Sequence, residues 1–167
     1  MAASLGWVLA FGCSVLLMGG QAEPGPRRPQ AVGALSLGGI VDAQDATASP
    51  EACRRAAERG EAEAQARLAA MCYLGKGVPR DVAEAVKWFR LASAQGDATA
   101  QGCLGTMYAL GDGVPQDRVQ AYAWLLLASA GGNEQAGELL ATLEPGLSAA
   151  QIRDARQRSS LANTHQP

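Results

Sequence analysis

The stretch LGKGVPRD at residues 74–81 returns as LGDGVPQD at residues 110–117, an offset of 36 residues. The similarity extends to both sides of this stretch, and 18 of the 36 aligned positions are identical. Long self-similarity at a fixed period of this length marks a repeat architecture. We therefore predict two complete repeats, at 60–95 and 96–131.

Each repeat begins with a pattern typical of an amphipathic helix. In the first repeat, the apolar residues Ala64, Leu68 and Met71 follow the 3.6-residue period of a helix that continues to Leu74. Gly75 comes next and is predicted to end the helix, because glycine adopts the left-handed conformation of many helix C-termini at little cost.

A second helix is predicted to begin after Asp81 in the first repeat and after Asp117 in the second. Glu84 and Gln120 follow these aspartates by three residues. This spacing is typical of a capping box, in which two side chains accept hydrogen bonds from each other's backbone N–H groups.

Trp88 and Trp124 recur at one position of the second helices. Trp88 shares a helical face with Ala85 and Ala92, at a spacing that places large residues next to small ones. We predict that both tryptophans fill the core against small residues of the neighbouring first helix. The alternative, a stacking platform for a ligand, is less favoured.

The Gly-x-Gly segments at 75–77 and 111–113 could suggest a phosphate-binding loop. Such a loop follows a strand, whereas a helix precedes these segments, so we predict tight turns between paired helices. The residues assigned structural roles are Gly75, Gly77, Asp81, Trp88, Gly96, Gly111, Gly113, Asp117 and Trp124.

Partial repeats are predicted on both sides of the complete ones, at 50–59 and 132–143. A polar helix at 148–161 is predicted to cap the end of the stack, because the exposed core of a terminal repeat needs a polar cover. Residues 162–167 are predicted to form a disordered tail. The predicted fold is all-α: a right-handed αα-superhelical solenoid of about seven helices within residues 50–161.

The N-terminal residues indicate a targeting segment. The run from Leu5 to Gly20 is apolar and uncharged, yet shorter than the ~20 residues of a membrane-spanning helix. Gly20 and Ala22 are small, as a cleavage site requires. We predict a signal peptide at 1–22, cleaved near Ala22, then a flexible linker at 23–49. The protein is expected to be periplasmic or secreted, without a stable membrane span.

Composition narrows the classes of function. The formal net charge is −2 and the chain has one histidine, His165. Nucleic-acid binding is therefore not expected, and no catalytic residue, metal ligand, cofactor-binding residue or cofactor is predicted. Three cysteines follow the predicted signal peptide, namely Cys53, Cys72 and Cys103. Their helical registers do not bring two Cα atoms within the ~7 Å of a disulfide, so none is predicted.

The combined pattern Ala-x-Ala-Gln-x-x-Leu, Gly-x-Gly-Val-x-x-Asp, Ala-x-x-Trp and Ala-Ser-Ala resembles the Sel-1-like repeat (SLR) family, a relative of the tetratricopeptide repeat. The resemblance covers Glu51 to about Leu161. Cys72 stands where the family pattern has tyrosine, and Tyr108 fills that place in the second repeat. The resemblance implies an exported bacterial protein that acts as an adaptor or regulatory scaffold rather than an enzyme.

By analogy with related solenoids, the off-core face of the first helices would line a concave groove that binds a peptide or protein. The sequence does not identify that partner. The residues predicted to form the groove are Glu63, Arg67, Ala70, Leu74, Thr99, Cys103, Thr106 and Leu110.

The resemblance leaves a second function open, because some secreted members are linked to penicillin or peptidoglycan recognition. In that case the protein would bind cell-wall components or hydrolyse them weakly. Ser93 and Ser129 are nucleophile candidates by residue type alone, and neither has a lysine three residues on. A third possibility is a fragment that stacks on another repeat protein, since two complete repeats fall below the ~3 needed for stability.

Overall fold

The computed structural model describes residues 49–163. Within this range the secondary structure is helical. The first six helices pack in sequence order, and the seventh packs on the fifth. They are α1 (Pro50–Glu58), α2 (Ala62–Leu74), α3 (Val82–Ala94), α4 (Ala98–Leu110), α5 (Arg118–Ala130), α6 (Glu134–Leu143) and α7 (Ala149–Asn163), with a 3₁₀ turn at Glu144–Gly146. The predicted all-α repeat of seven helices is confirmed.

Several sequence predictions lie outside the described residues. These are the signal peptide at 1–22, the linker as far as residue 48, and His165 in the tail. The C-terminal helix was predicted to end at residue 161, whereas α7 extends to Asn163. The rest of the predicted tail, residues 164–167, also lies outside the described residues. Within the described part of the chain, no helix combines the length and the apolar character needed to cross a bilayer.

Left-handed glycines end the first helix of each complete repeat, as predicted. Gly75 has a φ of 71° and Gly111 a φ of 73°. Their backbone N–H groups donate to the carbonyl oxygens of Met71 and Met107, both at 2.8 Å. The Gly-x-Gly segments therefore serve as tight turns between paired helices.

Aspartates cap the second helices, but the predicted capping box does not close. The Asp81 carboxylate accepts the N–H of Glu84 at 2.9 Å, and Asp117 caps α5 in the same way. However, the backbone N–H of Asp81 donates to the carbonyl of Cys72 at 2.9 Å. The Glu84 carboxylate is thus left to bind Arg54 of α1 at 3.3 Å.

The large buried residue of α3 is Phe89, which is 1% exposed. Trp88 is only half-buried, and its Nε1 donates to Glu84. In α5, Leu125 is fully buried and Trp124 is half-buried. Both tryptophans pack against the core, as predicted, but they lie partly exposed at its edge, and Phe89 and Leu125 are the fully buried large residues. The buried stripe of α3 is centred one residue further on, and comprises Ala85, Val86, Phe89, Ala92 and Ser93.

A buried glutamine links each first helix to the second helix that precedes it. Gln65 Nε2 donates to the carbonyl of Ala57 at 3.1 Å, and Gln101 Nε2 donates to that of Ser93 at 3.2 Å. Donors and acceptors both recur at the 36-residue offset. Because an unpaired buried amide is costly, these bonds help to fix the spacing between units.

The C-terminal helix covers the end of the stack, as predicted. Ser148 and Gln151 form a complete capping box, with the Ser148 N–H donating to Oε1 at 2.8 Å and the Gln151 N–H to Oγ at 3.3 Å. Ala155 of α7 is fully buried against Tyr122 and Ala123 of α5. This contact removes the apolar face of α5 from water.

The three cysteines within the described residues are free and buried. Burial raises the pKa of Cys53, Cys72 and Cys103 above the ordinary thiol value. The Cys53 thiol lies 3.5 Å from the carbonyl oxygen of Ala64, to which it donates. Their protonated forms are therefore favoured as small apolar parts of the core.

Candidate functional site

A groove of about 340 Å³ opens between the C-terminal halves of α4 and α6, beside the start of α5. Its walls are mainly aliphatic, and polar side chains stand at an exposed rim. The lining residues are Thr106, Ala109, Leu110, Gln116, Arg118, Leu125, Leu139, Thr142 and Leu143.

The groove coincides with a difference between the two repeats. Ala109 and Leu125 line it, and the equivalent residues of the first repeat are Tyr73 and Phe89. Phe89 is fully buried, and Tyr73 packs half-buried against the core. Because alanine and leucine replace two aromatic rings, the second unit leaves unfilled the space that the rings occupy in the first.

Tyr73 is held firmly in its place. Its hydroxyl donates to Asp112 at 2.6 Å, and the Arg80 guanidinium lies 5.7 Å from the ring centroid. Burial, followed by the bond to Asp112, raises the pKa of Tyr73 above its ordinary value. Arg80 also donates to the Tyr73 carbonyl, and Gln116 donates likewise to the carbonyl of Ala109. The second repeat thus keeps the turn but lacks the ring.

A shorter third unit also contributes to the groove. The first helices α2 and α4 contain 13 residues each, whereas α6 contains 10 and ends at Leu143. Leu143 is half-buried, although its equivalent in the second repeat, Met107, is fully buried. The wall that α6 offers to the groove therefore remains partly open to solvent.

Two of the residues predicted to bind a partner line this groove. Leu110 forms part of one wall, and Thr106 lies at the floor with 2% of its surface exposed. The Thr106 hydroxyl donates to the carbonyl of Gly102 at 3.0 Å. Thr106 is therefore a buried floor residue and does not present its hydroxyl to a partner.

The other predicted residues do not join the groove. Ala70 and Cys103 are at most 1% exposed, so the expectation that they face a partner is wrong. Each first helix is covered on more than one side, which makes its buried face wider than a single stripe. Glu63, Leu74 and Thr99 are exposed and Arg67 is half-buried, and Glu63 pairs with Arg67 at 2.9 Å.

Sequence reasoning missed most of the lining. The departures of Ala109 and Leu125 from Tyr73 and Phe89 of the first repeat were visible signals, because each of them removes a ring. The other missed residues depend on the separation of α4 and α6, which a single repeat does not encode. They are Gln116, Arg118, Leu139, Thr142 and Leu143.

Arg118 is the charged residue of the lining. Its Nη1 lies 2.6 Å from the position that a Cβ on Gly146 would take, so the glycine leaves room for the guanidinium. Among residues 49–163, no carboxylate forms an ion pair with Arg118. The rim of the groove therefore carries an uncompensated positive charge.

The described residues contain no cluster of His, Cys, Asp and Glu suited to a metal ion. Of the two nucleophile candidates, Ser93 is fully buried and its hydroxyl has no hydrogen-bond partner. Ser129 is exposed near the end of α5. The buried position of Ser93 keeps its hydroxyl out of reach of a substrate.

The Sel1 repeat family model matches residues 62–97 and 99–133. These two segments begin with α2 and α4 and each contain one helix pair. The chain contains two Sel1 repeats. The resemblance read from the sequence is thereby confirmed, and repeats of this family are typically protein-interaction modules.

Two solved bacterial structures are similar to this chain. One is a protective antigen of uropathogenic Escherichia coli strains that displays an SLR fold, with 37% identity and a TM-score of 0.67; the match covers 70% of this chain and 25% of the antigen. The other is a Sel1 repeat protein from Oxalobacter formigenes, with 44% identity and a TM-score of 0.55; this match covers 56% of this chain and 27% of that protein. The chain thus spans about a quarter of each. A search of curated proteins found no match.

Proposed function

We propose that the protein is a non-enzymatic interaction module that binds a peptide segment of a partner protein between α4 and α6. The observation that carries this proposal is the aliphatic groove of about 340 Å³. Binding pockets span roughly 300–1,000 Å³, so this groove suits a few side chains of a peptide. Two first helices supply its walls, as the analogy with related solenoids implies.

The groove gains apolar burial when a segment enters it. Leu110, Leu139 and Leu143 are only partly buried in the free protein, and covering apolar surface is worth roughly 25 cal/mol per Å². The walls are helices packed on a common core, so little ordering is needed before binding. The site thus has a driving force and a preformed shape.

Site-specific photocrosslinking tests this proposal. Benzoyl-phenylalanine in place of Thr142, an exposed rim residue, is expected to crosslink a partner in the native cells. The same group in place of Lys87, exposed on α3, is the matched control. Ala109→Tyr restores the first-repeat residue and is expected to abolish the Thr142 crosslink. Equal crosslinking from both positions, or no effect of Ala109→Tyr, would contradict binding in the groove.

We further propose that the protein acts in the periplasm or outside the cell. The uncharged apolar run from Leu5 to Gly20 and the small residue Ala22 support a cleaved signal peptide. N-terminal sequencing of the protein from fractionated cells is expected to begin at Glu23 in the exported fraction. An intact N-terminus in the cytoplasmic fraction would contradict export.

A further inference from the structure

The groove combines aliphatic walls with one positive charge at its rim. Arg118 is the first residue of α5, so the helix dipole adds to the positive potential there. Asp117 precedes it, but the Asp117 carboxylate accepts the N–H groups of Val119 and Gln120. Its capping role leaves the Arg118 guanidinium without a carboxylate partner.

The neighbouring polar groups do not compensate Arg118 either. The side-chain amide of Gln116 donates to the carbonyl of Ala109 at 2.8 Å, and the Thr142 hydroxyl donates to that of Glu138 at 3.0 Å. These two rim groups are already satisfied within the protein. A ligand's charged group would therefore find its complement at Arg118.

We propose that the bound segment carries an aliphatic side chain followed closely by an internal aspartate or glutamate. This inference rests on the proposed function, peptide binding between α4 and α6. The aliphatic group packs between Leu110 and Leu143, and the carboxylate binds the Arg118 guanidinium. Arginine binds carboxylates with short, charge-assisted hydrogen bonds. The aliphatic contact supplies affinity, and the charge pair selects acidic segments over neutral or basic ones.

The positions of the rim residues favour an internal carboxylate over a chain terminus. Gln116 and Thr142 are both exposed and come from different elements. A segment can therefore leave the groove into solvent after its anchoring residue. The C-terminal carboxylate of a partner is the alternative ligand of Arg118, and a peptide that ends in a free Leu carboxylate distinguishes the two.

Fluorescence anisotropy of the mature chain with short labelled peptides tests the inference. The probe is Gly-Ser-Leu-Leu-Asp-Ser-Gly, amidated at its C-terminus, and the matched control has Asn in place of Asp. We expect the Asn peptide to bind about threefold to tenfold more weakly, as for a partly exposed charge pair. This difference should vanish at an ionic strength of about 1 M, where the Debye length is ~3 Å.

A charge reversal in the protein provides the complementary test. Arg118→Glu is expected to reverse the preference, so that a peptide with Lys in place of Asp binds more tightly than the Asp peptide. Ala109→Tyr is expected to abolish binding of all the peptides by filling the groove. Thr142→Arg, at an exposed position, serves as a second blocking variant if Ala109→Tyr does not fold.

Several outcomes would overturn the inference. They are equal affinity for the Asp and Asn peptides, an unchanged preference in Arg118→Glu, or no binding at about 1 mM peptide. Tighter binding of a peptide that ends in a free Leu carboxylate than of the amidated Asp peptide would contradict the proposal that Arg118 binds an internal Asp or Glu. If benzoyl-phenylalanine at position 142 still crosslinks a partner in any of these cases, peptide binding in the groove is retained and only the acidic specificity is contradicted. If that crosslink is absent in the protein that is otherwise wild type, the proposed function itself is contradicted.

Discussion

Phe89 and Trp88 are neighbours in sequence with different roles in the core. Phe89 is 1% exposed, whereas Trp88 lies half-buried at the edge. Removing a fully buried ring leaves a cavity, so we expect Phe89→Ala to cost about 3–5 kcal/mol of unfolding free energy. Trp88→Ala is expected to cost clearly less. Urea unfolding of both variants measures the difference, and an equal or larger cost for Trp88→Ala would contradict the placement of the core.

Tyr73 provides a pH-dependent contribution to stability. Burial and the bond to Asp112 raise its pKa above the ordinary value of about 10. The unfolded chain therefore loses this phenol proton at a lower pH than the folded protein does. The contribution of Tyr73 is complete below about pH 10 and falls as the pH rises beyond it.

Tyr73→Phe is the matching variant, because it removes the titrating group and keeps the ring. At neutral pH it is expected to lose about 1 kcal/mol with the hydrogen bond. Above pH 10, its unfolding free energy should fall less steeply than that of the wild type. The buried cysteines titrate in both proteins, so the difference between the two curves isolates Tyr73. Parallel curves would contradict the shifted pKa.

At the scale of single residues, helix caps and turns were predicted from the sequence more accurately than the residues that are fully buried in the core. The Asp81 and Gly75 signals are local, because each acts on backbone groups within a few residues. The choice of Phe89 over Trp88 depends on how far α3 rotates against α2 and α4. Packing between the helices sets that rotation, and the 3.6-residue period of a single helix does not determine it.

At the scale of the elements, the second glycine of each Gly-x-Gly turn fits the turn to the preceding unit. A Cβ on Gly113 would lie 2.5 Å from Cγ1 of Val82, and one on Gly77 would lie 2.9 Å from Pro50. Both glycines have positive φ values near 72°. The recurrence of this motif in the sequence therefore reflects docking between units as well as the turn itself.

Gly113→Ala and Gly132→Ala separate these two requirements. Gly132 also has a positive φ, 91°, but a Cβ there would meet nothing within 4 Å. We expect Gly132→Ala to cost about 1–2 kcal/mol from backbone strain alone. Gly113→Ala should cost a further 1–3 kcal/mol from the clash with Val82, as overpacking does. Thermal unfolding compares the two, and equal losses would show that the turn does not dock on α3.

At the scale of the whole molecule, the array is short and depends on its ends. The repeat period predicted the helix pairs and the polar cap, because both follow from burying one apolar face against another. A groove along the first helices was predicted, but its position and most of its lining residues were not, since they arise where repeat-to-repeat differences meet the shortened α6. A functional site that depends on departures from the consensus is visible only when neighbouring units are placed side by side.

The terminal helix α7 should therefore be essential for the stability of the array. Ala155 is fully buried against Tyr122, and Ala150 is exposed on the same helix. Ala155→Arg would place a long charged side chain in that contact, so we expect a loss of about 3 kcal/mol or more and increased binding of a hydrophobic dye. Ala150→Arg adds the same charge at an exposed position and should change stability by less than about 0.5 kcal/mol. Since both variants alter one helix by one arginine, a difference in their unfolding curves measures the docking of α7. Coincident curves would mean that the two complete repeats are stable without their cover.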